Sequence, residues 1–157
     1  MNQYVRFSAA AGIALLLGAS ASAQQPSDCT GHEGPVRLYV DVEGVKKAEG
    51  LIAVTLYADD SSRFLAKRGS LYVGRVPARA PRTSVCIYLP STGVYALGVY
   101  QDEDSDRKYD RTSVGLPAEP YGFSNDPAVF LGMPRFSSVR LSVPRDNMRT
   151  SVTLRHP

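Results

Sequence analysis

The sequence predicts an all-β domain, namely a seven-stranded antiparallel β-sandwich with one or two short helices in its loops. The chain of 157 residues contains eleven prolines, thirteen glycines and nine tyrosines, a composition that favours strands and turns over long helices. Seven segments with strand-like patterns are separated by turn residues, and no segment has the period of a long helix. One domain is expected at this length. An immunoglobulin-like or transthyretin-like Greek key is the natural arrangement of seven such strands.

The first 23 residues have the three parts of a secretory signal peptide. Arg6 supplies positive charge, an apolar stretch follows over 9–19, and the small residues of 21–23 form an A-x-A cleavage site before Gln24. A membrane anchor is the alternative, but an apolar run of about 11 residues is short of the roughly 20 that a spanning helix requires. We therefore expect a periplasmic or secreted protein with no transmembrane segment after signal cleavage.

The remaining chain divides into a polar N-terminal lead over 24–33 and a single β-sandwich domain over 34–157. The first strand, 36–42, alternates apolar and polar residues, which is typical of a strand with one face in water. The second, 51–57, is apolar and β-branched and is predicted to be more buried. Further strands are predicted over 71–76, 83–89, 94–100, 139–143 and 148–154.

Two short helices are predicted in the loops. The first covers 62–68, where Asp59-Asp60-Ser61 can cap the amino end and Gly69 ends the helix. The second begins at Asp126-Pro127 and ends at Gly132, in agreement with the preference for proline at the start and glycine past the end of helices.

The two cysteines of the chain are predicted to form a disulfide. Val85, Ile87 and Leu89 share one face of the fourth strand, so Cys86 points to the other face, where the lead carrying Cys29 can lie. Export places both thiols in an oxidising compartment, in which they can pair. Two free thiols are the alternative.

The stretch 101–136 is too long and too patterned for a passive linker. Asp102, Asp104, Asp106 and Asp110 occupy positions 1, 3, 5 and 9 of a D-x-D-x-D loop. Calcium takes 6–8 oxygen ligands, which alternate acidic residues on a tight loop can supply. The sequence therefore predicts a cation site, with Ca²⁺ in a structural role.

A solvated acidic turn is the alternative interpretation of this loop. Position 6 is Arg107 instead of the glycine that a sharp turn favours, and position 12 is Ser113 instead of a bidentate glutamate. Arg107 and Lys108 are also placed to neutralise the acids without a cation. Both interpretations stay open at the level of the sequence.

Three segments carry a more specific pattern. The acidic loop over 100–110 is followed by Gly115-Leu116-Pro117-Ala118-Glu119-Pro120-Tyr121-Gly122-Phe123-Ser124 and later by Gly132-Met133-Pro134-Arg135-Phe136. They resemble the exported bacterial DUF2141 family, whose pattern is an H-D-x-N-x-N-x-x-x-D loop, then G-x-P-x-E-x-Y-G-F-S, then G-x-P-x-F. The resemblance covers roughly 34–155 and implies an exported β-sandwich without implying an activity.

The chain departs from that pattern at three positions. Gln101 stands in place of the histidine, so no role of an imidazole can be performed here. Asp104 and Asp106 stand in place of asparagines, which makes the loop more acidic and better suited to a cation.

Glu119, Tyr121 and Phe123 are candidate ligand or lid residues. Aromatic residues that flank a glycine, here Gly122, either pack as a structural lid or present a platform to a ligand. A carboxylate in an aromatic and proline-rich turn needs a partner, which for Glu119 is the cation, an arginine or backbone N–H groups.

The sequence gives little support to catalysis or to nucleic-acid binding. His32 and His156 lie at opposite ends of the predicted mature chain, and no G-x-S-x-G or H-E-x-x-H motif is present. Eighteen basic residues against fifteen acidic ones give a net charge of only +3. We expect a non-enzymatic module of the cell envelope that binds an unknown envelope component or protein or has a structural role. The alternative is a hydrolase of an envelope or extracellular substrate that acts through the acidic 102–119 loop.

Overall fold

The computed structural model describes residues 28–157. The predicted signal peptide over 1–23 and its cleavage before Gln24 lie outside the described residues. Within 28–157 no helix is long and apolar enough to cross a membrane. The elements in chain order are β1 (Val36–Glu43), β2 (Leu51–Ala58), β3 (Tyr72–Pro77), β4 (Arg82–Leu89), β5 (Gly93–Asp102), β6 (Tyr121–Phe123), β7 (Val129–Phe130), β8 (Met133–Pro134), α1 (Phe136–Val139), β9 (Arg140–Val143) and β10 (Met148–Thr153).

The predicted all-β class is confirmed. A three-stranded sheet has the order β10-β1-β4, and a five-stranded sheet has the order β3-β2-β5-β6 with β9 also paired to β5. The seven predicted strands correspond to β1 to β5, β9 and β10, while β6 and the small β7–β8 hairpin were not expected. Antiparallel pairing holds throughout the named strands except between β1 and β10, which run parallel.

The two sheets share one apolar core. Because successive side chains of a strand point to opposite faces, every second residue of the long strands is turned inward. These core residues are almost fully buried and come from both sheets: Leu38, Val40 and Val42 of β1, Ile52, Val54 and Leu56 of β2, Val85 and Ile87 of β4, and Leu97 and Val99 of β5.

The two helix predictions are wrong. Residues 62–68 form successive turns, because Leu65 and Arg68 adopt left-handed backbone angles with φ of 55° and 59° that an α-helix cannot contain. Residues 127–131 lead into the β7–β8 hairpin, and the carboxylate of Asp126 accepts hydrogen bonds from the backbone N–H and hydroxyl of Thr153 at 2.8 Å instead of capping a helix. The one short helix in the described chain is α1, at a place where a strand was predicted to begin.

The predicted disulfide between Cys29 and Cys86 is present. It fixes the N-terminal lead on the outer edge of β4, where the backbone of Thr30 donates to the carbonyl of Cys86 at 2.8 Å and accepts from the N–H of Tyr88 at 3.1 Å. The lead thus satisfies part of an edge strand that would otherwise present unpaired backbone groups. Such a disulfide indicates a non-cytoplasmic protein.

A second, smaller apolar cluster lies on the outer face of the five-stranded sheet. It is built from Tyr57, Ala96, Phe123 and Val139, with Phe64 and Phe136 packed against them. The turns over 60–69 and the helix α1 therefore cover part of this face. The part that they leave open lies beside the acidic loop.

Candidate functional site

The acidic loop is an excursion between β5 and β6, which pair with each other at its base. Tyr100 of β5 lies opposite Tyr121 of β6, and the N–H of Gln101 donates to the carbonyl of Pro120 at 2.9 Å. Asp102 is the last residue of β5 and is fully buried, whereas the residues from Glu103 to Lys108 are exposed. The loop is therefore anchored at a buried carboxylate and extends into solvent.

Three of the four predicted ligands converge. Carboxylate oxygens of Asp102, Asp104 and Asp106 all lie within 4.8 Å of one another. Asp110 does not belong to this group. Three carboxylates at this spacing are a suitable partial ligand set for a hard divalent cation, whose shell water can complete.

The buried carboxylate of Asp102 is only half satisfied. Its Oδ2 accepts a hydrogen bond from the N–H of Arg107 at 3.0 Å, but its Oδ1 is buried and has no hydrogen-bond partner. A buried acceptor without a partner is rare, because it loses its hydration without replacement. The nearby guanidinium of Arg75 bonds the Tyr100 hydroxyl and the Arg107 carbonyl, each at 3.3 Å, and no hydrogen bond within the described chain joins it to Asp102.

The loop winds tightly in spite of its missing glycine. Asp104 accepts from the N–H of Asp106 at 3.1 Å, and Asp106 accepts from the N–H of Lys108 at 2.7 Å, so two Asx-type turns follow each other. Ser105 and Arg107 adopt positive φ angles of 63° and 68°. Arg107 thus makes the turn for which glycine is favoured, at some backbone strain.

One of the three aspartates already has a local counterion. The ammonium of Lys108 lies 2.9 Å from Oδ2 of Asp106, and this hydrogen bond holds the pKa of the Asp106 carboxyl below its usual range. The side chain of Lys108 is 78% exposed, so water weakens the pair. An ammonium this exposed is a weak competitor of a divalent cation for the Asp106 carboxylate.

Glu119 holds the loop together from below. It is 5% exposed, and its two carboxylate oxygens accept hydrogen bonds from the N–H groups of Glu103 and Asp110, both at 3.0 Å. Burial raises the pKa of the Glu119 carboxyl against the opposing effect of these two N–H donors. Of the three partners expected for this residue, backbone N–H groups are the ones that it has.

Replacing Glu119 by glutamine is expected to loosen the loop. The amide of Glu119→Gln has one acceptor oxygen for two N–H donors and turns its own NH₂ toward one of them, so we expect a loss of about 1–2 kcal/mol in the free energy of unfolding. Urea denaturation measures this loss, and amide hydrogen exchange at Glu103 and Asp110 should become faster. Glu103→Gln removes the same charge from an exposed side chain and is the matched control. Equal stability and exchange in both variants would contradict this role of Glu119.

Tyr121 and Phe123 lie on the outer face of the five-stranded sheet. Tyr121 has ring-centroid distances of 6.4 Å to Tyr109 of the acidic loop and 5.9 Å to Phe123. Phe123 continues the row toward Phe64 at 6.1 Å. Both residues therefore connect the loop to the second apolar cluster, and both also line a cleft of about 220 Å³.

Comparison with known proteins places the chain in a family. The family described as "Uncharacterized protein conserved in bacteria (DUF2141)" matches residues 40–151. The protein belongs to the DUF2141 family. No curated protein and no solved structure shows significant similarity to the chain.

Gln101, which stands where the DUF2141 pattern has a histidine, has a structural role in this chain. Its side chain is 1% exposed, and its amide nitrogen donates to the carbonyl oxygens of Lys47 and Glu49 at 3.0 and 2.9 Å. It thereby fixes the connection between β1 and β2 against the end of β5. Gly50 makes this approach possible, since its φ is +68° and a Cβ there would overlap the carbonyl oxygen of Asp102.

Most of the cleft that lies beside the acidic loop was not predicted from the sequence. Its walls include Tyr57, Tyr100, Tyr109 and Arg111, and its floor includes Gly98. Burial raises the pKa of the hydroxyls of Tyr57, Tyr100 and Tyr109, so these phenols are neutral hydrogen-bond donors at physiological pH. One signal was present in β5, where the outward residues change from small at Ala96 and Gly98 to aromatic at Tyr100.

Proposed function

We propose that this DUF2141 protein is an exported, non-enzymatic module of the bacterial cell envelope, with a binding or structural role, whose 102–110 loop holds a structural Ca²⁺. The observation that carries the cation site is the buried Oδ1 of Asp102, which lacks a partner beside the carboxylates of Asp104 and Asp106. A divalent cation would supply the missing partner and relieve the repulsion among three negative charges.

The exported character is supported by the signal-peptide pattern and by the disulfide, which fits an oxidising compartment. A seven-stranded sandwich with an immunoglobulin-like or transthyretin-like Greek key remains our proposal for the finer topology. It is supported by the core that the two sheets share, which is built from the seven predicted strands β1 to β5, β9 and β10. On such a scaffold, recognition residues typically lie on long loops.

A calcium titration of the exported protein tests the cation site. We expect isothermal titration calorimetry to give one site with a dissociation constant of about 10 μM, in the range of rigid loops with several carboxylates. Asp104→Asn should weaken binding at least about tenfold, since it removes a charged ligand. Glu103→Gln removes a charge from the same loop but not from the three converging aspartates. It should change the dissociation constant for calcium by less than about threefold. Absence of binding at millimolar calcium, or equal effects of the two variants, would refute the site.

Export predicts a mature N-terminus at Gln24. The chain should be recovered from the periplasm or the medium without its first 23 residues, because the A-x-A site ends at Ala23. Mass spectrometry of the intact protein and of its N-terminal peptide measures this. Recovery of chains with Met1 in the membrane fraction would favour a membrane anchor instead.

A hydrolase that acts through the 102–119 loop is the second candidate, and one observation favours it. The pKa of the buried Glu119 carboxyl is raised, as in a general acid. Both oxygens of Glu119, however, are occupied by backbone N–H groups, which suits a loop anchor better than an acid. Screening of esterase and glycosidase substrates with Glu119→Gln and Asp104→Asn separates the candidates: activity lost in Glu119→Gln alone would favour the hydrolase.

A further inference from the structure

The cleft on the outer face of the five-stranded sheet has aromatic walls. The rings of Tyr100 and Tyr109 contact each other in a tilted arrangement, with a centroid distance of 5.2 Å and an interplanar angle of 58°. Tyr121 adjoins both Tyr109 and Phe123, and Tyr57 also lines the cleft. Aromatic walls around a small hollow present both ring faces and neutral hydroxyl donors to a guest. The cleft opens beside the acidic loop, which carries Tyr109.

The floor of the cleft is a glycine that the backbone does not require. Gly98 lies in the middle of β5 with no positive φ, and a Cβ there would make ordinary contacts of 3.6 Å to Tyr57 and 3.8 Å to Leu65 and Phe123. Glycine inside a strand is unfavourable because of its backbone entropy. An alanine would fit and would fill part of the hollow, so Gly98 keeps open a space that the fold itself does not need.

Arg111 provides the only charge among the described residues that line the cleft. Its guanidinium lies 5.2 Å from the centroid of the Tyr109 ring, and one of its nitrogens donates to the carbonyl of Gly115 at 2.9 Å. The other N–H groups of the guanidinium make no hydrogen bond to any residue of 28–157. A guanidinium held at the wall by stacking is well suited to bind a carboxylate.

Two carboxylates lie behind the tyrosines. Asp102 and Glu119 raise the pKa of the Tyr100 hydroxyl through their charge, in addition to burial. Neither lines the cleft, and Glu119 is occupied by backbone N–H groups. The cleft is therefore unsuited to a cationic ligand, which would be repelled by Arg111 and would find no carboxylate in the lining.

We infer that this cleft binds a compact aromatic carboxylate, with its ring against the tyrosines in the hollow over Gly98 and its carboxylate on Arg111. The volume of about 220 Å³ matches a single six-membered ring with small substituents, given that a 150 Å³ apolar cavity holds benzene. The inference rests on the proposed function in naming the ligand class of the binding module. It also connects to the cation site, because the 102–110 loop that the cation would order carries Tyr109 and is followed directly by Arg111.

The experiment is an NMR titration of the exported protein with benzoate, benzyl alcohol, glucuronate and tetramethylammonium, in 1 mM calcium and in chelator. We expect benzoate to shift the aromatic resonances of Tyr109 and Tyr121 with a dissociation constant of about 1 mM or lower, as few heavy atoms allow. Benzyl alcohol keeps the ring and loses the charge, so it should bind about tenfold more weakly.

Two variants locate the site. Arg111→Gln should weaken benzoate about tenfold and leave benzyl alcohol nearly unchanged, while Arg145→Gln removes a charge from an exposed turn and should have no effect. Gly98→Ala should weaken both ring compounds by at least about threefold with unchanged or higher thermal stability, because its Cβ fits the sheet. Retained stability distinguishes a filled cleft from a damaged fold.

Several results would overturn this inference. It fails if no probe shifts the cleft resonances at 20 mM, if glucuronate or tetramethylammonium binds better than benzoate, or if Arg111→Gln leaves the preference for benzoate unchanged. A protein that binds calcium but not benzoate refutes the cleft alone. Benzoate binding in chelator by a protein that does not bind calcium refutes the cation site alone.

Discussion

Loss of the disulfide is expected to lower the free energy of unfolding by about 4 kcal/mol. Cys29 and Cys86 are separated by 57 positions, and closing a loop of this length removes conformational freedom from the unfolded chain by about that amount in the chain-entropy model. A loss of this size is a large part of the total stability of a small domain, which is typically 5–15 kcal/mol. Urea denaturation of Cys29→Ser/Cys86→Ser against the native protein measures it.

The folded state should change locally as well. Without the disulfide, the Thr30 segment is held to β4 by two backbone hydrogen bonds, to Cys86 and Tyr88, and by the hydrogen bond from its hydroxyl to the same Cys86 carbonyl at 3.3 Å. Amide exchange at Thr30 and Tyr88 should therefore accelerate more than exchange at Val40, which lies in the central strand of the same sheet.

A reductant control separates the covalent bond from the substitutions. Reduction should destabilise the native protein by nearly the full amount and leave the double variant unchanged. Alkylation of two thiols before any reduction would show that the bridge does not form in the exported protein. A double variant as stable as the native protein would show that the lead contributes little.

The strands were predictable because their signal is local. Alternation in β1 and the β-branched run of β2 each occur within eight residues. The face of β1 that was predicted to lie in water is nevertheless largely covered, since Tyr39 and Asp41 are each 8% exposed. The pairing of β1 with β10 in parallel orientation joins residues more than 100 positions apart, and no local pattern encodes it. The failed helices have a different cause, since Leu65 and Arg68 are held in left-handed conformations that neither residue type signals in advance.

The candidate site likewise combines residues that local spacing brings together with residues that only the tertiary fold brings together. Asp102, Asp104 and Asp106 converge because close spacing on one tight loop brings them together, so their grouping was visible in the sequence. The separate roles of Asp110 and Glu119 were not, because the return of the chain to β6 decides which backbone N–H groups face Glu119. The cleft combines Tyr57, Gly98 and Arg111, which are neighbours only through the pairing of β2 with β5 and the fold of the loop.

Calcium is expected to stabilise the fold by roughly 2.7 kcal/mol at 1 mM free calcium, if the dissociation constant is about 10 μM. Binding to the native state alone gives RT ln(1 + 100) at that ratio of concentration to dissociation constant. For a domain of this size the melting temperature should rise by several degrees between chelator and calcium. Magnesium should do less, because it requires stricter octahedral geometry and gives up water reluctantly.

Asp102→Asn is the sharpest test of this prediction, because the substitution should lower the stability of the fold in calcium and raise it in chelator. In calcium the variant should lose the stabilisation, since the removed charge belongs to the buried ligand of the proposed site. In chelator it should be more stable than the native protein by about 0.5–1 kcal/mol, because a buried charge with an unpartnered Oδ1 and two like-charged neighbours is replaced by a neutral amide. Glu103→Gln, which removes an exposed charge of the same loop, should keep most of the calcium shift. Identical melting curves of the native protein in millimolar calcium and in chelator would instead favour the solvated turn, with Arg107 and Lys108 as the counterions of the loop.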